Sequence, residues 1–283
     1  MVPRIGRVGV WSMDMRFGDP AAVAEAAAEL DELGYGALWI PGGIDDAVLG
    51  NVDALLSATS RLVICTGIIN IWKQEPADVA AWWQGQSAER QARVLLGVGV
   101  SHGPIIGEAW AKPVAKTRSW LDAAIAAGVP ADALCVAALG PQMLALSRDR
   151  TAGAHPYLVT ADHTAAARAI LGPGKLLAPE QGVVLESDPA TARALARGAV
   201  QYYTGLPNYA NNWRRYGYTD DDIATVSDRL VDGLFAWGSA DQIAARVKAH
   251  HDAGADHVCI QAIAADGLDG VRHAWRELAK VLL

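Results

Sequence analysis

Apolar positions along the chain alternate between two rhythms. Short runs are apolar at nearly every position, as expected of strands buried on both faces. Between them lie longer segments with apolar residues at helical spacing. Eight runs read as strands: IGRVGVWS (5–12), YGALWIPGG (35–43), the first half of LVICTGIINIWKQEP (62–76), VLLGVGVSHG (94–103), ALCVAALG (133–140), AHPYLVT (154–160), QGVVLES (181–187) and DHVCIQAI (256–263). The helices between them carry their own punctuation. Asp19 is a good N-cap, Pro20 suits the first helical position, and Gly34 supplies the stop. Ser239 and Gln242 have the spacing of a capping box, and Asp188-Pro189 opens another helix.

One unit recurs. LDELGYGALWI, IAAGVPADALCVA and HDAGADHVCI each run from helix through glycine and a short spacer into an apolar strand. Alternating strands and helices predict a parallel sheet with helices outside it. Eight repeats in 283 residues predict a single (β/α)8 TIM barrel spanning residues 1–283. An open doubly wound sheet is the alternative, but GxGxxG is missing after the first strand. The segment between runs seven and eight is too long for one helix. Within it lies QYYTGLPNYANNWRRYGYTDDD (201–222), an insertion expected to form a lid or pocket wall, with a subunit contact as the alternative. Tyr209 and Trp213 in it are candidate pocket residues.

Composition narrows the class. The chain is 52% hydrophobic and 19% charged, as a globular domain would be, with net charge −7 and no long basic run, so nucleic acid is not an expected partner. No apolar stretch is long enough to cross a membrane. The start does not read as a signal peptide. Cys65, Cys135 and Cys259 lie in apolar strand-like runs, which suggests reduced, buried thiols and a cytoplasmic protein. No metal site is expected, because no close Cys or His spacing suits one. The adjacent His250 and His251 fall in the last turn of a helix, and are expected to face solvent or to oppose the helix dipole as charges.

In a barrel the chemistry sits at the C-terminal ends of the strands. That rule nominates Trp11 and Met13 after the first strand, Trp39 at the end of the second, and Asn70 and Trp72 after the third. Ser101 and His102 follow the fourth, Ala137 to Gly140 end the fifth, and Thr160 and His163 follow the sixth. This rim lacks a carboxylate pair, a GxSxG elbow and an HExxH motif. An apolar, aromatic, glycine-lined rim suits a planar ring that brings its own reactivity. The glycines of GVGVSHG would let backbone approach such a ring, and the VAALGP turn before a helix could hold a phosphate. The plain alternative is that small residues there serve packing.

ELGYGALWIP, ICTGIINIWKQEPADVAAWW, LLGVGVSHG, WGSADQIAARVKAHHDAGADHVCIQ and above all the run from Ala137 to Leu185 resemble the luciferase-like monooxygenase superfamily, and within it the actinobacterial oxidoreductases that use coenzyme F420. The resemblance runs nearly end to end. It implies a flavin-type ring at the C-terminal rim and hydride transfer at C5 of the deazaflavin. It places a bulge, often a non-prolyl cis peptide, at Gly67-Ile68 against the ring, with Asn70 beside the ring's polar edge. Gly99, Val100, Ser101 and His102 would hold the cofactor. Ala137, Ala138, Leu139 and Gly140 would lie near its phosphate and ribityl chain, with Tyr157, Thr160 and His163 as further contacts. Trp11, Met13, Trp39, Trp72, Tyr209 and Trp213 would form the substrate pocket. Two departures stand out: Pro41-Gly42-Gly43 replaces the acid and histidine some relatives carry after strand two, and His102 stands about where some carry a glutamate acid. His102 is therefore the candidate catalytic proton donor; the alternative is a cofactor contact or a loop cap. FMN with oxygen is the alternative cofactor chemistry, and a non-catalytic cofactor-binding protein a third reading. A small-molecule substrate and a homodimer complete the expectations.

Overall fold

The computed structural model describes residues 2–43 and 45–283. The strands are β1 (Val8–Trp11), β2 (Ala37–Ile40), β3 (Val63–Thr66), β4 (Ile69–Asn70), β5 (Val94–Gly99), β6 (Leu134–Val136), β7 (Gly153–Ala154), β8 (Leu176–Leu177), β9 (Glu180–Val184), β10 (Phe235–Trp237) and β11 (Val258–Ala262). All their pairings are parallel. From β11 the order runs through β1, β2, β3, β5, β6 and β7 to β8. The chain itself closes the ring. β8 pairs with β7 and β9 pairs with β11, with only Ala178-Pro179 between β8 and β9. That link is bonded on both sides: Ala178 N–H donates to Ala154 O, and Cys259 N–H to Pro179 O. The result is an eight-position α/β barrel, as the alternating pattern predicts.

The departures from the expected strands have local causes. The third strand breaks after Thr66 and resumes as β4. The sixth is only two residues long, because Pro156 lacks an N–H and Leu158 takes a left-handed φ of +52°. β10 is a strand the sequence pattern misses. It follows directly on the helix Asp228–Leu234, whose apolar periodicity runs into Phe235, and it pairs with β9 alone.

Alternation along the strands sorts the core into two compartments. Val8, Val10, Leu38, Ile40, Ile64, Leu96 and Val98 point outward, into the layer shared with the helices. Trp11, Trp39, Cys65, Leu95, Cys135 and Cys259 point inward and fill the barrel. Other inward positions are held by glycine. Gly9 and Gly97 lie so close to the His257 ring and to Thr66 O that any Cβ would collide. The cysteines are buried and unpaired.

The helix caps match their sequence signals. Asp19 accepts from Ala21 and Ala22 N–H, Gly34 ends that helix at φ +94°, and the Ser239–Gln242 capping box is complete. The histidine pair is a correction. His250 is fully buried, with hydrogen bonds to Thr164 Oγ1 (2.8 Å) and Gln181 Oε1 (3.0 Å). Burial pushes its pKa down to about 3, so it is a neutral core group and neither solvent-facing nor a dipole charge. His251 is half-buried and donates to Ala255 O.

Asp31, in the last turn of the helix Pro20–Leu33, organises the entry to β3. It is 7% exposed and accepts from Ser60 N–H, Ser60 Oγ, Arg61 N–H and Leu62 N–H. Burial works to raise its pKa, but the Ser60, Arg61 and Leu62 donors outweigh it and hold the carboxyl below its ordinary value. Asp31→Ala strands these donors and is expected to cost about 2–3 kcal/mol in urea unfolding at pH 7. A depressed carboxylate stabilises above its unfolded pKa and loses that contribution as pH falls through the folded one. The gap between variant and wild type therefore narrows below about pH 4. A gap that persists at pH 3 would mean that packing, not the carboxylate, carries the loss.

The insertion packs into a second core shared with Leu158, Val184 and Phe235 of the barrel. The helices Pro189–Thr204, Pro207–Arg215, Asp220–Thr225 and Asp228–Leu234 bury Ala196, Val200, Tyr209, Trp213 and Leu230 together. Trp213 Nε1–H ties it to the barrel by donating to Leu158 O at 3.1 Å.

Candidate functional site

A cavity of about 520 Å³ opens at the C-terminal ends of the strands, within the usual range for a small-molecule site. Its floor is the break between β3 and β4, where the Gly67-Ile68 peptide is cis. Three bonds hold this turn: Gly67 N–H to Ile40 O (2.7 Å), Gly42 N–H to Ile68 O (3.0 Å) and Trp11 Nε1–H to Gly67 O (3.3 Å). Three glycines make the approach feasible. A Cβ on Gly42 would lie 2.1 Å from Ile68 O, on Gly67 2.6 Å from Trp11 Nε1, and on Gly99 2.7 Å from Ile68 Cγ1.

Asn70 rises from β4 into this cavity and is 2% exposed. Its Oδ1 accepts from Trp72 N–H, while its Nδ2 donor has no partner. A buried, unpaired amide donor is costly and calls for an acceptor on a ligand. The next wall is the end of β5 with Gly99, Val100, Ser101 and His102, where Ser101 takes a left-handed φ of +60°. Beside it stand Ala137, Ala138, Leu139 and Gly140, ahead of the helix Pro141–Arg150, whose N-terminus has no side-chain cap. Trp11, Met13, Tyr157 and Tyr209 also line the cavity.

Five nominated residues stand one layer behind the wall. Trp39 fills the barrel interior, stacked on His155 (4.2 Å) and donating to His257 Nε2. Trp72 braces the β5 turn by donating to Val100 O at 2.7 Å. Thr160 caps the helix Ala161–Leu171. His163 bonds Leu139 O at 2.9 Å and is buried. Trp213 anchors the insertion.

Other wall residues escaped the sequence reading. His155, two positions before Tyr157, was legible through strand alternation. Burial pushes its pKa down to about 4, and its Nδ1 donates to Ala178 O, which leaves Nε2 as an unpaired acceptor near Gly67. Phe17, Asp45 and Trp110 reach the cavity from segments with no local signal, while Tyr203 and Asn208 come from the 201–222 insertion expected to form a lid or pocket wall. Tyr203 OH donates to Tyr157 OH (3.3 Å), which donates to Gln261 Oε1 (2.8 Å). Burial raises both phenols, so they stay neutral. No Lys or Arg lines the cavity among the described residues, and Asp45 is paired with Arg16. Burial also lowers His102, offset in part by its bond to Asn208. The site is thus a neutral slot with one flat glycine-built face and few, directed polar groups. Among the described residues no group of three or more His, Cys, Asp or Glu could hold a metal ion, and no helix could cross a membrane.

Residues 5–257 match the family model described as luciferase-like monooxygenase. Solved structures with a similar fold cover nearly the whole chain. An F420-dependent secondary alcohol dehydrogenase in complex with an F420–acetone adduct is 15% identical, with 98% of each chain covered and a TM-score of 0.74. The coenzyme F420-dependent tetrahydromethanopterin reductase of Methanopyrus kandleri is 13% identical, with 97% of each covered and a TM-score of 0.78. The FMN-bound oxygenating constituent of 3,6-diketocamphane monooxygenase from Pseudomonas putida is 14% identical, covers 98% of this chain and 99% of its own, and has a TM-score of 0.69. No curated protein sequence matches significantly.

Proposed function

We propose, from the premise that this chain belongs to the luciferase-like monooxygenase family, that it is an F420-dependent oxidoreductase acting on a small, apolar organic substrate. Bound in the cavity, the deazaflavin would supply a hydride-accepting or hydride-donating carbon at C5. The observation that carries the reading is the unpaired Nδ2 of Asn70 above the Gly67-Ile68 floor, a donor suited to a carbonyl on the ring's polar edge. Gly42, Gly67 and Gly99 keep the floor flat enough for a ring. Backbone N–H groups from Ala138 to Gly140 and the uncapped helix start would receive a phosphate without a cationic side chain, the Ala137 N–H being committed to Val98 O. The insertion serves as pocket wall through Tyr203, Asn208 and Tyr209. Met13, Phe17 and Tyr202 remain 49%, 53% and 60% exposed at the mouth, and that apolar edge favours an apolar substrate. His102 is the ionisable group placed to exchange a proton with it.

The FMN-bound relative makes FMN with oxygen the rival reading. Titration of the purified protein decides between them. Quenching of F420 fluorescence with a Kd on the order of micromolar, with no FMN binding, is expected. Tight FMN binding with NADH-coupled oxygen uptake would replace the proposal, and binding without hydride exchange across a broad substrate panel would remove the enzyme assignment.

A further inference from the structure

We propose that Asn208 is a positioning residue for His102: it fixes the imidazole tautomer so that Nε2 is left as the acceptor, and it does so from the insertion. The consequence for catalysis rests on the functional reading above; the tautomer does not.

His102 lies just past β5 and begins the short helix Gly103–Ile106, yet its side chain does not cap that helix. Its Nδ1 instead meets Asn208 Oδ1 at 3.1 Å. An amide oxygen can only accept, so Nδ1 carries the hydrogen. Burial lowers the pKa of His102, which makes the imidazole neutral at pH 7 with a single N–H. That N–H is committed to Asn208, and Nε2 keeps its lone pair. The ring is steadied by Tyr209, the next residue on the same helix, at 5.5 Å between ring centres.

The two partners are 106 positions apart in sequence. Asn208 sits at the start of the helix Pro207–Arg215, and the Trp213–Leu158 bond seats that helix on the barrel. The tautomer of a rim residue therefore depends on the docking of the insertion. The titratable groups sharing the cavity with His102 are Asp45 from the loop after β2, His155 and Tyr157 from the β7 end, and Tyr202, Tyr203 and Tyr209 from the insertion. Glu108 and Lys112 follow on its own segment. The shift of His102 comes from burial and Asn208, not from any of these.

In this state His102 takes a proton and does not give one. A substrate O–H or N–H would give its proton to Nε2, and an oxidised deazaflavin held against the Gly67-Ile68 floor would supply the hydride acceptor for the adjacent C–H. The proton would end on Nε2 and the substrate would gain a double bond to its heteroatom.

Imidazole 15N NMR on the cofactor-free protein tests the assignment, with the His102 signals identified by their loss in His102→Gln. Asn208 is exposed, so its variants are expected to fold. The Nδ1–H form is expected in the wild type. Asn208→Ala should shift the ring toward Nε2–H and lower kcat/KM by about tenfold. Asn208→Asp should keep Nδ1–H and move both the His102 titration and the acid limb of kcat/KM to higher pH. An Nε2–H ring in the wild type, or a tautomer unchanged in Asn208→Ala, would overturn the proposal. Failure to bind deazaflavin would remove the functional reading and leave the NMR result to decide on Asn208.

Discussion

Gly67→Val is expected to weaken cofactor binding by about 100-fold or more, the equivalent of roughly 3 kcal/mol. The reason is steric. A Cβ at position 67 would sit 2.6 Å from Trp11 Nε1 and 3.0 Å from His155 Nε2. Neither neighbour is free to withdraw. Trp11 is bonded to Gly67 O and lies against Tyr157 at 5.2 Å, while His155 is held by Ala178 O and stacked on Trp39. The valine must therefore lift the floor into the cavity or displace the indole that lines it. Overpacking of this kind costs about 1–3 kcal/mol of stability as well, so circular dichroism must accompany the fluorescence titration. Gly198→Ala is the control, because nothing lies within 4 Å of a Cβ there. A folded Gly67→Val protein with wild-type affinity for F420 and FMN would show that the ring does not rest on this floor.

The second large effect is on stability. Glu180 on β9 is fully buried, and burial pushes its pKa up to about 8, against a smaller opposing contribution from the Leu158 N–H that its Oε2 accepts at 3.0 Å. Its Oε1 has no partner. A carboxyl with a raised folded pKa stabilises below its unfolded pKa, near 4.3, and loses that contribution as pH rises through the folded value. Across that window the native state holds a proton that the unfolded state has released. Glu180→Gln keeps the shape and an acceptor for Leu158 but cannot ionise. It is expected to match the wild type near pH 4.5 and to be more stable by about 2–4 kcal/mol at pH 8. Urea unfolding at the two pH values measures this difference. Buried neutral histidines contribute equally to both proteins and cancel. Equal stability at pH 8 would mean that Glu180 ionises freely in the folded state.

The fold was legible because the signals for it are local. Alternating periodicities, Asp19-Pro20, Gly34 and the Ser239–Gln242 box each act within a few residues, and each recurs in the structure. The break at Gly67-Ile68 was reached by another route, as what the family resemblance implies; the strand pattern alone showed only that the run ends on an amide and an indole rather than on turn residues. The strand ends also located the cavity wall at Asn70, His102 and Ala137 to Gly140. What the pattern could not supply was the surroundings of each side chain. Trp11 and Trp39 both point inward, in register on neighbouring strands, so they look alike in sequence. One fills the barrel and the other lines the cavity. His250 shows the same limit, since helix position marks a C-terminal turn but not that Thr164 and Gln181 wait there to satisfy a buried ring.

By itself, then, the sequence determined the αβ repeat, the eight positions of the barrel and the end at which chemistry sits, because these follow from spacing and backbone chemistry within one element; the unusual turn came from the family resemblance. The tertiary structure alone decided which rim residues face the cavity, buried the Glu180 carboxyl and so raised its pKa, and brought Asn208 to His102. Those outcomes depend on desolvation and contact between segments far apart in the chain, and no local pattern encodes them.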